Sequence, residues 1–143
     1  MRLASAAIGG LGALTGVLKG LGFVVLSLGL WASERYEFDS FLFLAISANG
    51  AMAIFCILGA VGAGFAILGR LRSGVLLMLV GASGVAVAAV VYGLLWPLTQ
   101  PPDVPASLFT TLSFYLVWLF PVPFLLIGAV LAFFARREFP RSP

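Results

Sequence analysis

The sequence predicts an all-α integral membrane protein, an antiparallel bundle of four transmembrane helices with both chain ends on the cytoplasmic side. The first observation is composition: 62% of the 143 residues are hydrophobic and 9% are charged, whereas a soluble domain carries about 25% charged residues. The second is a set of four apolar runs, each longer than the roughly 20 residues that a spanning helix needs. The third is that arginines stand at the ends of these runs.

The first two runs lie on either side of a polar loop. The first covers about residues 4–31 and is interrupted only by Lys19. A signal peptide would also begin with Arg2 and an apolar stretch. No small-residue cleavage site precedes the return of hydrophobicity, so we expect the run to persist as a helix. The second run covers about 41–69.

The last two runs are separated by a segment rich in proline. Arg70-Leu71-Arg72 ends the second run, and so short a turn predicts that helices two and three are antiparallel neighbours. The third run covers about 73–96. Residues 97–107 contain four prolines and are expected to be extended. The fourth run covers about 108–135, and 1–143 then forms a single domain.

The distribution of charge predicts the orientation. Six arginines fall on one side of the predicted helices: Arg2, Arg70, Arg72, Arg136, Arg137 and Arg141. Arg35 falls on the other side, among three acids. The positive-inside rule therefore places both ends in the cytoplasm, with Trp31 and Tyr92 near the outer interface. The excess of arginine over the single lysine is typical of GC-rich bacterial genomes, so we expect a bacterial cytoplasmic (inner) membrane.

The residue types exclude most catalytic and cofactor chemistry. Histidine is absent and Cys56 is the single cysteine, so bis-imidazole haem, histidine-bound metal, an internal disulfide and Ser-His-Asp catalysis are excluded. All five carboxylates lie outside the predicted spans: Glu34, Glu37, Asp39, Asp103 and Glu138. We therefore expect neither an enzyme nor a cofactor or metal site. Nucleic acid is not an expected partner either, because the arginines are explained by membrane orientation.

Small residues predict where the helices touch. Helices associate in lipid through close packing, which needs small side chains. Six positions are expected to pack in this way: Gly12, Gly16 and Gly20 in helix one, Ala60 and Gly64 in helix two, and Gly81 in helix three. Contact with an oligomer or partner is the alternative use of this pattern. Helix four is bulkier, and we expect it to be a looser wall that faces lipid or a partner.

Lys19 is the most informative polar residue. A lysine at the membrane centre costs about 2.5–3.5 kcal/mol on the insertion scale. Three interpretations are open: its ammonium group snorkels to an interface, residues 1–18 form a separate surface or re-entrant segment and the span starts near Lys19, or the group pairs with a partner or ligand. Counting residues along the helices gives Lys19 the same depth as Pro121, a proline that frees carbonyl groups on helix four.

The remaining candidate contacts lie on helices two and four. Asn49 is expected to hydrogen-bond across helices or to contact a ligand, while Phe114, Trp118 and Phe124 would supply contact area for a partner. These features favour a non-catalytic accessory or scaffold subunit of a larger membrane complex. The alternative is a small homo-oligomeric channel or carrier for an anion or small solute that uses Lys19. The expected partners are other integral membrane subunits, and anionic lipids at the cytoplasmic arginines.

Overall fold

A computed structural model describes residues 1–33, 40–99 and 118–137, and these residues form helices without any strand. The four helices are α1 (Arg2–Ala32), α2 (Ser40–Ile67), α3 (Leu71–Thr99) and α4 (Pro121–Arg137). Their backbone hydrogen bonds close within each helix, which is what an apolar chain in lipid requires.

Three of these helices are long and apolar enough to cross a membrane: Arg2–Ala32, Leu42–Ile67 and Leu71–Leu95. This supports the prediction of a membrane protein with transmembrane helices. The fourth predicted span is covered in part, because residues 108–117 lie outside the described ranges and the apolar helix that follows is shorter, Pro121–Ala135. A fourth crossing therefore remains a prediction.

Both boundaries of α3 differ from the predicted ones. α3 begins at Leu71, inside the predicted turn, and continues to Thr99, three residues into the segment expected to be extended. Proline removes one helical hydrogen bond at Pro97, but the residues after it can still complete the turn. α4 begins at Pro121, a residue whose fixed φ suits the first helical position.

The turn between α2 and α3 is formed by Gly69. Its φ of +78° lies in the left-handed region, which a residue with a Cβ adopts only with strain. The amide of Gly69 donates to the Ala66 carbonyl at 3.3 Å, and the amide of Arg70 donates to the Phe65 carbonyl at 2.9 Å. This Schellman arrangement caps α2 and lets α3 start at once.

Contact between α1 and α2 occurs where α1 lacks side chains. A Cβ on Gly20 would lie 2.7 Å from the Asn49 carbonyl oxygen and 2.9 Å from the Ala53 Cβ. A Cβ on Gly16 would meet the Cys56 Sγ. The contacting residues of α2 have higher numbers where those of α1 have lower numbers, so the two helices run in opposite directions.

α4 packs on α1 just as closely, and the expectation of a loose fourth wall was wrong. A Cβ on Gly128 would lie 2.8 Å from the Gly9 Cα, and a Cβ on Gly12 would meet the Phe124 side chain. The buried Ser5 hydroxyl donates to the Gly128 carbonyl at 2.7 Å. Gly128 is the reason for the close approach, because it places a bare backbone within an otherwise bulky helix.

α2 and α3 meet through glycine on both sides. Cβ atoms on Gly62 and Gly74 would each lie 2.9 Å from the other residue's carbonyl oxygen. Farther along, a Cβ on Gly81 would lie 2.7 Å from the Phe55 carbonyl oxygen and 3.1 Å from the Gly59 Cα. The small residues of α2 that make these contacts are thus Gly59 and Gly62. Ala60 is exposed, and a Cβ on Gly64 would meet no described atom within 4 Å.

Side chains from α3 and α4 fill the centre of the molecule. α1 and α3 each contact both α2 and α4, which leaves α1 opposite α3 and α2 opposite α4. Met78 and Leu125 are both fully buried. The Met78 Sδ reaches within 2.7 Å of a Cβ on Gly9, and the Leu125 Cδ2 reaches within 2.6 Å of a Cβ on Gly59. Each of the two side chains therefore spans the centre to the opposite helix.

The tight contact at Gly20 leads to the first testable prediction. Gly20→Ala should lower the free energy of unfolding by about 1–3 kcal/mol, because its Cβ would press against the α2 backbone, which cannot rotate away. Gly22→Ala is the matched control, because open space surrounds Gly22. Unfolding of the purified chain in detergent measures both variants. Equal stability of the two variants would contradict the α1–α2 contact.

Candidate functional site

Lys19 lies at the seam between α1 and the start of α4. It is half-buried, and its Nζ stands 4.7 Å from the centroid of the Phe120 ring. Phe120 in turn packs on Phe124, with a centroid distance of 5.0 Å. A cation over an aromatic face gains about 0.5–2 kcal/mol, which offsets part of the cost of placing a lysine in an apolar helix.

The structure brings together the positions that residue counting placed at one depth. Pro121 touches the same stretch of α1, since its Cγ would lie 3.0 Å from a Cβ on Gly16. The Phe120 ring is a contact of Lys19 that the sequence analysis missed. The sequence does contain an indication of this contact, because Phe120 directly precedes Pro121, the residue predicted to lie at the depth of Lys19. Val117, whose carbonyl would face the ring of Pro121 four residues later, lies outside the described residues.

Asn49 is almost fully buried on α2. Its Nδ2 donates to the Ala45 carbonyl at 2.8 Å, one turn earlier on the same helix. Its Oδ1 is buried without a hydrogen-bond partner among the described residues. The expected bond from Asn49 to another helix is therefore not seen in this part of the chain. Ser5, which the sequence analysis did not single out, donates a side-chain hydrogen bond from α1 to α4.

Trp118 lies inside the molecule and stacks on Tyr92. Each residue is 3% exposed, and their rings lie 5.0 Å apart and 6° from parallel. The small residues Ala48 and Ala89 belong to the same buried cluster and leave room for these rings. Large aromatic rings gain most when they are packed on other apolar surface. Trp118 is therefore an internal residue rather than a surface for a partner, and Tyr92 is not an exposed interfacial ring.

The other aromatic candidates on helix four divide between the inside and the undescribed part. Phe124 is half-buried and covers Gly12. Phe114 lies outside the described residues. The outward surface of α4 consists of other large side chains: Leu126, Ile127, Val130, Phe133 and Phe134. A partner on this helix would meet these residues.

The second half of α1 has no buried residue. Every buried residue of this helix lies between Ser5 and Gly20, whereas the six largest exposed side chains beyond Gly20 are Leu21, Phe23, Val25, Leu26, Leu28 and Trp31. The described chain thus leaves an apolar stretch of helix uncovered, and Lys19 stands at its base.

Within residues 1–33, 40–99 and 118–137 no three of the residue types His, Cys, Asp and Glu gather in a way that could hold a metal ion. The charged side chains described in this part of the chain are Lys19, Arg2, Arg70 and Arg72. No protein-family model, no curated protein and no solved structure matches this chain.

The contact of Lys19 with Phe120 gives the second prediction. A double-mutant cycle of Lys19→Met and Phe120→Leu should show a coupling energy of about 0.5–2 kcal/mol, the range of a cation over an aromatic face. The measurement is the free energy of unfolding of the four proteins in detergent. Phe133→Leu serves as the control, because Phe133 is an exposed phenylalanine elsewhere on α4. Additive single effects at Lys19 and Phe120 would contradict the contact.

Proposed function

We propose that this chain is a non-catalytic accessory or scaffold subunit of a larger membrane protein complex. The observation that supports the proposal most directly is the uncovered second half of α1. This stretch is apolar except for Ser27, and none of its residues is buried by the described part of the chain. The centre of the molecule is filled by Met78 and Leu125, so the surface that remains for function is the outside of the helices.

Helix length supports the same proposal. The 31 residues of α1 extend about 46 Å at about 1.5 Å per residue, whereas the hydrocarbon layer of a bilayer is about 30 Å thick. If the arginine end lies at one boundary of that layer, about 26 Å of helix separates Arg2 from Lys19. Lys19 then stands near the opposite boundary. The apolar helix beyond it is the surface against which we place another membrane protein.

The proposed arrangement in the membrane is four crossings with both ends in the cytoplasm. The charge distribution supports it, because Arg2, Arg70, Arg72, Arg136 and Arg137 belong to the same end of the four helices. The proposed site is the cytoplasmic membrane of a bacterium. The proposed partner is another integral membrane subunit whose apolar helix lies against the second half of α1 and the outward face of α4.

Accessibility labelling tests this topology. Single cysteines replace Ser40, Ser73, Ser107 or Ser142 in a Cys56→Ala background, and intact cells are treated with a reagent that does not cross the membrane. Ser40→Cys and Ser107→Cys should react, because the positive-inside rule places both positions outside. Ser73→Cys and Ser142→Cys should react only after lysis. Reaction of Ser142→Cys in intact cells would contradict the arrangement.

Photo-crosslinking tests the partner. A photoreactive side chain at Val25, which is 68% exposed on the second half of α1, should join this chain to a different membrane protein in native membranes. The matched control is Leu11, which is 54% exposed on the first half of the same helix and should join mainly to lipid. Products at Val25 with lipid alone would count against a protein partner.

A homo-oligomeric channel or carrier is the second candidate, and the half-buried cation at Lys19 is the observation that favours it. Under this alternative the Val25 product is a dimer of the chain itself. The purified chain then conducts or exchanges an anion in liposomes, and Lys19→Met abolishes the flux. The accessory-subunit proposal expects no flux from the purified chain.

A further inference from the structure

Five arginines of the described helices lie at one end of the molecule, away from Lys19. Arg2 begins α1, Arg70 and Arg72 flank the first residue of α3, and α4 ends with Arg136 and Arg137. Contacts join these helix ends. The Arg2 Nη1 lies 3.5 Å from the Cβ position of Gly69, in the α2–α3 turn, and Ser5 bonds to α4.

The α2–α3 turn adds backbone donors to these cations. The Gly74 amide donates to the Arg70 carbonyl at 3.0 Å and closes the first turn of α3. The amides of the three preceding residues, 71–73, precede that first helical bond and point out of the helix end. Their partial positive charge favours an anion. Arg72, the second residue of α3, is exposed. The half-buried Arg2 side chain reaches the turn at Gly69 from α1.

Exposed apolar side chains adjoin the same cations. Leu3 is 75% exposed and follows Arg2, while Ile67 and Leu68 are 58% and 73% exposed and directly precede Gly69. Arginine therefore stands beside open apolar surface at the end of the helices. An inorganic anion or an acidic soluble segment would use only the arginines. A phospholipid uses both surfaces, because its phosphate is anionic and its acyl chains are apolar.

We propose that an anionic phospholipid binds at this end, with its phosphate between Arg2, Arg70 and Arg72 and an acyl chain along Leu3, Ile67 and Leu68. Arg2 is the positioned cation of the site, since it is half-buried and lies against the Gly69 turn. Arg70 and Arg72 flank the first residue of α3 and are exposed, and the Arg70 guanidinium lies 6.0 Å from the centroid of the Phe65 ring. The site does not depend on a protein partner.

Lipid retention on the full chain tests the proposal. The protein is purified from bilayers that contain equal amounts of phosphatidylglycerol and phosphatidylcholine, and the lipids that remain bound are measured by native mass spectrometry. The parent chain should retain phosphatidylglycerol preferentially, and Arg2→Gln should lower this preference about fivefold, the effect of one basic residue at a lipid surface. Arg35→Gln removes the same charge beyond the opposite end of α1 and should change nothing. An equal effect of both substitutions would overturn the site.

Two further arms identify the ligand and do not depend on the folding of Arg2→Gln. Millimolar inorganic phosphate should fail to displace the retained phosphatidylglycerol, whereas complete displacement would mean that the site binds an anion rather than a lipid. In the parent chain, amide hydrogen exchange of residues 67–76 should be slower in phosphatidylglycerol nanodiscs than in phosphatidylcholine nanodiscs. Equal exchange in the two lipids would overturn the proposal.

Discussion

Close contact between helix backbones at glycine is the constraint on which the rest of this structure depends. Lipid provides no hydrophobic force to bring helices together, so packing and hydrogen bonds must do so. Gly20 admits the backbone of α2, and Gly9 with Gly128 brings α4 against α1. Because all four helices approach so closely, Met78 and Leu125 can fill the space between them.

Met78 and Leu125 fill the space between the described helices, and both proposals therefore concern the outside of the helices. The two buried polar side chains of the described core, Ser5 and Asn49, each donate a hydrogen bond to a backbone carbonyl. α1 carries charge at two positions along its axis. Lys19 lies against the Phe120 ring, and Arg2 begins the helix at the end where the other arginines lie. The long apolar surface between and beyond these positions is suited to binding lipid and membrane protein, which is the basis of both proposals.

The sequence predicted the helices well because long apolar runs have few other stable forms in lipid. It predicted that arginines lie at one common end of the helices. It also predicted the small residues of α1, because glycines spaced four residues apart lie on one face of a helix. It failed on the face of α2, where Ala60 and Gly64 were chosen and Gly59 and Gly62 make the contacts. A helix that is apolar all round has no polar side to mark its outward face. The direction of Trp118 was missed for the same reason, and the closeness of α4 was missed because one residue, Gly128, outweighs its bulky neighbours.

Cysteine cross-linking between α1 and α2 tests the close contact most directly. The Cβ positions of Gly10 and Ala63 lie 3.9 Å apart, within the range of about 3.5–4.5 Å that a disulfide spans. With Cys56→Ala as background, the pair Gly10→Cys and Ala63→Cys should oxidise to an intramolecular disulfide in the membrane. Gly22→Cys with Ala63→Cys should not, because Gly22 has no described neighbour within 4 Å. Failure of the first pair, or equal oxidation of both, would contradict the packing of α1 on α2.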